Sequence, residues 1–177
     1  MVVNHLTFTW NMFEFEYRVR SGDFSSLLLQ PVHPIHRDIA RNLSYKSLTS
    51  AAMFPIAVGL TYAFDPVLPA DFYNLLAFAP ALFLSFGVRF IMEWCLALGA
   101  FWTTRVTALN QIYFAAMMFL GGRIAPLELL PDGIRTAGNL LPFRWMVVFP
   151  VEVALGRVNG DQLLRGLAVQ ILWIGIG

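Results

Sequence analysis

Residues 47–64 read SLTSAAMFPIAVGLTYAF, eighteen positions without a charged side chain. Two more stretches share this property: FYNLLAFAPALFLSFGV at 72–88 and VTALNQIYFAAMMFLGG at 106–122. A helix rises about 1.5 Å per residue and the hydrocarbon core of a bilayer is about 30 Å thick, so each stretch is a plausible membrane span. We therefore predict an integral membrane protein, which excludes most soluble functions.

The amino-acid composition is also typical of an integral membrane protein. Of the 177 residues 58% are hydrophobic and only 13% charged, whereas an ordinary soluble domain has about 25% charged residues. The length allows one all-α polytopic bundle of about four spans. A net charge of +1 gives no indication of a nucleic-acid partner.

We predict a single transmembrane domain over 1–177, with spans at about 47–64, 72–100, 105–122 and 163–177. Residues 1–46 carry five of the twelve basic residues, which places this segment in the cytoplasm. Alternation then puts residues 123–162 on the outer side. Four prolines divide this outer segment into pieces too short to cross, so we predict helices that lie in the interface or re-enter partway.

Residues that begin and end helices divide the predicted cytoplasmic segment. Asp23 is a candidate N-cap, residues 24–30 form a short apolar helix, and Pro31 and Pro34 end it. A second helix is predicted from Ile35 into the membrane.

Motifs for catalysis are missing from the sequence. Lys46 is the sole lysine and has no glycine near it, which excludes ATP binding by a P-loop. His33 and His36 have no evident third ligand, so loop histidines are favoured over a metal site. Because Cys95 is the only cysteine, an intramolecular disulfide is excluded, and we interpret Cys95 as a small buried hydrophobic residue. We expect neither an enzyme nor a resident cofactor.

Arg89 and Glu93 are spaced i, i+4 within an apolar helix, so their side chains can meet on one face. Ionisable groups at membrane depth are costly, which makes this pair a candidate for a polar path or a proton relay. A structural pair near the inner boundary is the alternative. A polar band follows, suited to hydrogen bonds between helices or to substrate: Thr103, Thr104, Thr107, Asn110 and Gln111.

The order of motifs resembles that of ABC-2 type exporter permeases, most closely the branch labelled ABC-2 family transporter protein or viologen-exporter-like permease. Residues 16–24 (EYRVRSGDF) and 27–34 (LLLQPVHP) resemble the cytoplasmic loop of that family. Blocks in the middle and after the fifth span of the family are similar as well: 89–94 (RFIMEW), 100–105 (AFWTTR), 129–131 (LLP), 139–145 (NLLPFRW), 149–152 (FPVE) and 155–157 (LGR).

The resemblance implies a type V permease fold in the bacterial inner membrane, with six spans per permease and two permeases, homologous or identical, per transporter. ATP and Mg would be bound by a separate ABC ATPase subunit. Mapped by order, the chain would begin at the end of the second span and stop within the sixth. We therefore expect a fragment truncated at both termini.

The resemblance also implies two sites. The coupling helix, residues 23–32, would rest in a groove of the ATPase through Asp23, Phe24, Leu27, Leu28, Gln30, Pro31 and Val32. The outer re-entrant motif would act as a lid through Pro131, Asn139, Pro142, Phe143, Arg144, Pro150, Glu152 and Arg157.

Two other functions stay open. A fragment of an ion-coupled secondary carrier would use Arg89 and Glu93, but inverted repeats are not visible. A non-transporting membrane scaffold would leave the polar band without a role. The substrate is undecided, because lipid-like molecules, hydrophobic cations and drugs all suit an aromatic-rich cavity.

Overall fold

The computed structural model describes residues 2–64, 71–103, 106–122 and 131–177, and every regular element in these ranges is helical. The predicted all-α class is confirmed. The helices are α1 (Val2–Thr7), α2 (Asn11–Ser21), α3 (Asp23–Leu28), α4 (Pro34–Phe64), α5 (Phe72–Leu98, continued by a 3₁₀ turn at Gly99–Phe101), α6 (Thr107–Leu120), α7 (Asp132–Leu140), α8 (Pro142–Ala154) and α9 (Gly160–Ile176).

Within the described ranges two helices are long and apolar enough to cross a bilayer, α4 and α5 with its 3₁₀ extension. Both keep an internal proline, Pro55 and Pro80, which membrane helices tolerate because neighbouring groups re-satisfy the freed carbonyls. The stretches predicted as the third and last spans form the 14-residue α6 and the 17-residue α9. Helix α6 is shorter than the range of about 17–25 residues that spans a bilayer, and α9 lies at the lower limit of this range. Residues 65–70 and Arg105 lie outside the described residues.

Helix α5 lies at the centre of the bundle and packs against α1, α2, α8 and α9. One core cluster joins it to α2, α6 and α8 through Met12, Val88, Tyr113, Met117, Phe143, Met146 and Val147. A second cluster packs around the C-terminal end of α5 and consists of Phe15, Phe24, Leu27, Ala97, Ala100 and Val106. Most of the apolar burial within the described residues therefore involves α5.

Helix α4 divides into a polar and an apolar half. Asp38, Asn42 and Lys46 are buried and spaced four residues apart, which places them on one face. That face contacts the N-terminal helices, whereas residues 50–64 are exposed or half-buried throughout. An apolar helix with so little covered surface requires lipid or another protein around it.

Helix α8 is largely covered by its neighbours in the bundle. Pro142 occupies its first turn, and Phe143, Phe149 and Pro150 are buried, mainly against α5 and α9. Helix α8 is thus covered by other helices of the chain, and whether the segment re-enters the membrane or lies in the interface stays a prediction. Residues 123–130 of the same predicted segment lie outside the described residues.

Candidate functional site

The structure brings the predicted intramembrane pair together. Arg89 Nε donates to Glu93 Oε1 at 2.8 Å, and the two side chains are 1% and 0% exposed. One turn of α5 separates them, so the contact follows from the i, i+4 spacing. Whether the pair moves protons or only stabilises the bundle stays a prediction.

Residues that the sequence did not single out complete this site. Thr9 donates to Glu93 Oε2, and the Tyr113 hydroxyl lies 3.5 Å from Glu93 Oε1. Arg89 also donates to Asn4 Oδ1 at 3.2 Å and to Thr7 Oγ1 at 3.4 Å. We call these residues, together with Lys46, the Arg89 cluster: Asn4, Thr7, Thr9, Lys46, Arg89, Glu93 and Tyr113.

Lys46 connects the cluster to α4, because its Nζ donates to the carbonyl of Phe8. The Phe8 ring in turn lies 4.9 Å from the Arg89 guanidinium carbon, a cation–π contact. The N-terminal segment thus covers the pair from one side. No local signal in residues 4–9 indicated this role, since it arises only when the segment folds back on α5.

Both carboxylate oxygens of Glu93 accept hydrogen bonds. A satisfied buried network makes the packing rigid and specific. The cluster therefore joins α5 to α6 and to the N-terminal segment.

The described members of the polar band after the pair have different surroundings. Asn110 is buried, and neither of its amide atoms has a partner within the described residues. Thr107 and Gln111 are exposed, and Thr107 approaches Glu16 at 3.5 Å. Thr104 lies outside the described residues.

The predicted coupling helix has two unlike faces. Phe24 and Leu27 are each 7% exposed, whereas Leu28, Leu29 and Val32 are 62%, 88% and 53% exposed. Phe24 and Leu27 are both predicted to contact the ATPase, but within this chain their side chains are covered. Their side chains fill the core because the helix lies against α2 and the end of α5.

The bounds of this helix also differ from the prediction. Helix α3 ends at Leu28, and the exposed residues Gln30, Pro31 and Val32 follow outside it. Gly22, with φ 81°, is the N-cap, and Asp23 is the first helical residue. The turn between α2 and α3 needs a left-handed residue, which glycine adopts without the Cβ penalty.

An aromatic cluster holds the inner face of α3. The ring of Phe24 lies 4.8 Å from that of Phe15 and 5.2 Å from that of Phe101. Phe15 also contacts Trp94 at 5.7 Å in an edge-to-face arrangement. Such pairs add about 0.5–1.5 kcal/mol each beyond their burial, so α3 is joined firmly to the end of α5.

An ionic network ties the same region to α4. Arg18 donates to Asp38 and to Glu14, each at 2.8 Å, and Arg41 reaches Glu14 at 2.7 Å. The Trp94 indole donates to the second Asp38 oxygen at 3.2 Å.

Burial by itself lowers the pKa of Arg18, but hydrogen bonds and the charges of Asp38 and Glu14 leave it above its usual value. When the pKa of a group is higher in the folded than in the unfolded state, the protonated group stabilises the fold, and this contribution is complete below the unfolded pKa. It is lost only as the pH rises through the folded pKa. For an arginine both values are strongly alkaline, so Arg18 stays charged at any physiological pH.

Three residues of the predicted outer motif converge. Arg144 donates to Asn139 Oδ1 and contacts both Glu152 oxygens at 3.1 and 3.2 Å. The Trp145 indole donates to the Asn139 carbonyl at 3.2 Å, which fastens α7 to α8. Arg157 is exposed in the loop after α8 and lines a cavity together with Arg144 and Glu152, whereas Pro131 lies at the exposed start of α7.

A family model described as ABC-2 family transporter protein matches residues 1–176. No curated protein and no solved structure matches the chain. The match spans all the helices described above, including the two apolar ones that are long enough to cross a bilayer. The chain therefore belongs to the ABC-2 family of transporter proteins, as a helical membrane permease.

Proposed function

We propose that this chain is the permease subunit of an ATP-binding cassette exporter in the bacterial inner membrane. It lines the translocation path together with a second permease, and a separate ATPase subunit holds ATP and Mg. The membership of the ABC-2 family supports this proposal. The lack of a P-loop in the sequence is consistent with nucleotide binding on a partner.

The exposed apolar surface of residues 28–32 is the observation that carries the proposal. Leu28, Leu29 and Val32 lie next to one another in the predicted cytoplasmic segment and are all more than half exposed. Leaving such side chains in water is unfavourable by about 1.5–3 kcal/mol each relative to full burial. A groove on an ATPase that covers them would gain this free energy.

The contacts behind this surface suggest how a push would be transmitted. Phe24 and Leu27 join α3 to the end of α5, and the Arg18–Asp38 ion pair joins α2 to α4. Movement of α3 would therefore displace the two long apolar helices together. Closure of the ATPase dimer on ATP would shift both permeases, and the α7–α8 segment would open or close the outer end.

Replacement of Leu28 by Asp tests the ATPase contact. The side chain is 62% exposed, so the chain should fold, whereas the new charge would have to be desolvated in the apolar groove. We expect Leu28→Asp to lower co-purification with the ATPase at least about tenfold and to uncouple ATP hydrolysis from transport.

Thr136→Asp is the matched control, because it adds the same charge to an exposed helical position on α7. It should leave the amount of co-purified ATPase unchanged. Membrane insertion of both variants is checked by fractionation. Normal co-purification of Leu28→Asp with the ATPase would contradict the proposal.

A further inference from the structure

A cavity of about 290 Å³ lies between α8 and α9, away from both α3 and the Arg89 cluster. Three arginines line it, Arg144, Arg157 and Arg165, together with one carboxylate, Glu152. Three positive charges against one negative charge leave an excess of two. Its volume is at the lower end of the range of about 300–1,000 Å³ that is typical of ligand pockets.

The arginines of this cavity differ in their partners. Arg144 is engaged by Asn139 and Glu152. Arg157 and Arg165 are exposed, and within the described residues their guanidinium groups have no hydrogen-bond or ion-pair partner. The buried Nε of Arg144 also lacks an acceptor there. The cavity therefore carries donors that the described part of the chain leaves unsatisfied.

Neighbouring cations repel one another, and a bound anion relieves this repulsion, the more so when it also displaces water from the cavity. Guanidinium groups recognise oxyanions through forked, charge-assisted hydrogen bonds. A phosphate group offers several acceptor oxygens in different directions and can engage two separate arginines at once. A carboxylate has only two oxygens in one plane.

The remaining wall of the cavity is apolar. Trp145, Phe149 and Val158 lie beside the arginines. This combination of cationic and apolar walls fits a phosphate that is attached to an apolar group better than a free ion.

We propose that the cavity between α8 and α9 binds the phosphate of an anionic ligand through Arg157 and Arg165, with Arg144 as a third positive charge held in place by Glu152. The two sources of such a phosphate are an anionic phospholipid and a soluble phosphate compound. The site is independent of the proposed ATPase contact, so failure of one does not affect the other.

The test uses the full chain in detergent, titrated with phosphatidylglycerol, phosphatidylcholine or inorganic phosphate. Binding is followed by native mass spectrometry and by the apparent Tm. We expect phosphatidylglycerol to bind and phosphatidylcholine to bind much more weakly. Loss of one charge-assisted contact weakens binding roughly tenfold, so Arg157→Gln with Arg165→Gln should weaken it by about a hundredfold.

Arg135→Gln is the matched control, since Arg135 is an exposed arginine on α7 outside the cavity. Its affinity for phosphatidylglycerol should equal that of the parent chain. Inorganic phosphate that binds with the same dependence on Arg157 and Arg165 would support the site and identify a soluble ligand. Equal binding by the double variant, equal loss in Arg135→Gln, or equal binding of phosphatidylcholine would overturn the proposal.

Discussion

Single residues decide how the centre of the bundle is held, and Glu93 is the clearest example. Its carboxylate accepts hydrogen bonds from Arg89 on the same helix and from Thr9 in the N-terminal segment. Tyr113 approaches it from α6. Removing one member of a fully buried ion pair leaves an uncompensated charge, which costs more than the pair itself contributes.

We therefore predict that Glu93→Gln lowers the free energy of unfolding by about 3–5 kcal/mol, because Arg89 stays buried and charged. Adding Arg89→Met should recover part of this loss, since Gln can still accept from Thr9 and neither residue of the former pair then carries a charge. The apparent Tm in detergent measures both effects.

The same substitution at Glu152 is the control, because this carboxylate and its partner Arg144 are partly exposed. Loss of an exposed pair costs about 0–1 kcal/mol. A Glu93→Gln chain with unchanged Tm but a shifted pH profile of transport would instead favour the proton relay, and with it the ion-coupled alternative.

At the scale of elements, the contact between α8 and α9 depends on one glycine. A Cβ at Gly166 would lie 2.1 Å from the ring of Phe149, which is buried. Gln170, one turn further on α9, donates to Ser85 at 2.8 Å and to the Trp145 carbonyl at 2.9 Å. Apolar and polar contacts thus fix α9 against α5 and α8 at adjacent turns.

Gly166→Ala should consequently destabilise the chain by about 1–3 kcal/mol through overpacking against Phe149. Gly175→Ala on the same helix should be neutral or slightly stabilising, because a Cβ there meets nothing within 4 Å. Thermal unfolding of both variants in detergent measures the difference. Equal stability of the two would show that α8 and α9 separate easily.

On the scale of the whole molecule, large apolar side chains are exposed both on α4 and on α3. Phe54 on α4 is 72% exposed, and Leu28 on α3 is 62% exposed. The proposed orientation puts Phe54 in lipid and Leu28 in water beside the ATPase. Exposure alone does not distinguish these surroundings.

Spin labels distinguish them directly. In a Cys95→Ser background, Phe54→Cys and Leu28→Cys are labelled in the reconstituted chain. We expect the label at 54 to collide with oxygen and not with a water-soluble nickel complex, and the label at 28 to do the opposite. Nickel access at position 54 would contradict a membrane location of α4. Low access of both reagents to position 54 would indicate that a protein partner covers this part of α4.

Local pattern alone was enough for several features. Uncharged stretches predict α4 and α5, because a run of apolar residues has few alternatives to a helix in lipid. The i, i+4 rule predicts the contact of Arg89 with Glu93, since it depends only on helix geometry. Membership of the ABC-2 family is likewise confirmed by the match over residues 1–176.

Only the tertiary structure decided which side of each short element is covered. Phe24 and Leu28 are both apolar residues of α3, yet one enters the aromatic cluster and the other faces outward. Thr9 likewise meets Glu93, 84 positions away along the chain, and Arg165 on α9 shares a cavity with Arg144 on α8. Long-range contacts of this kind depend on how helices pack, and no periodicity within one helix encodes its partner.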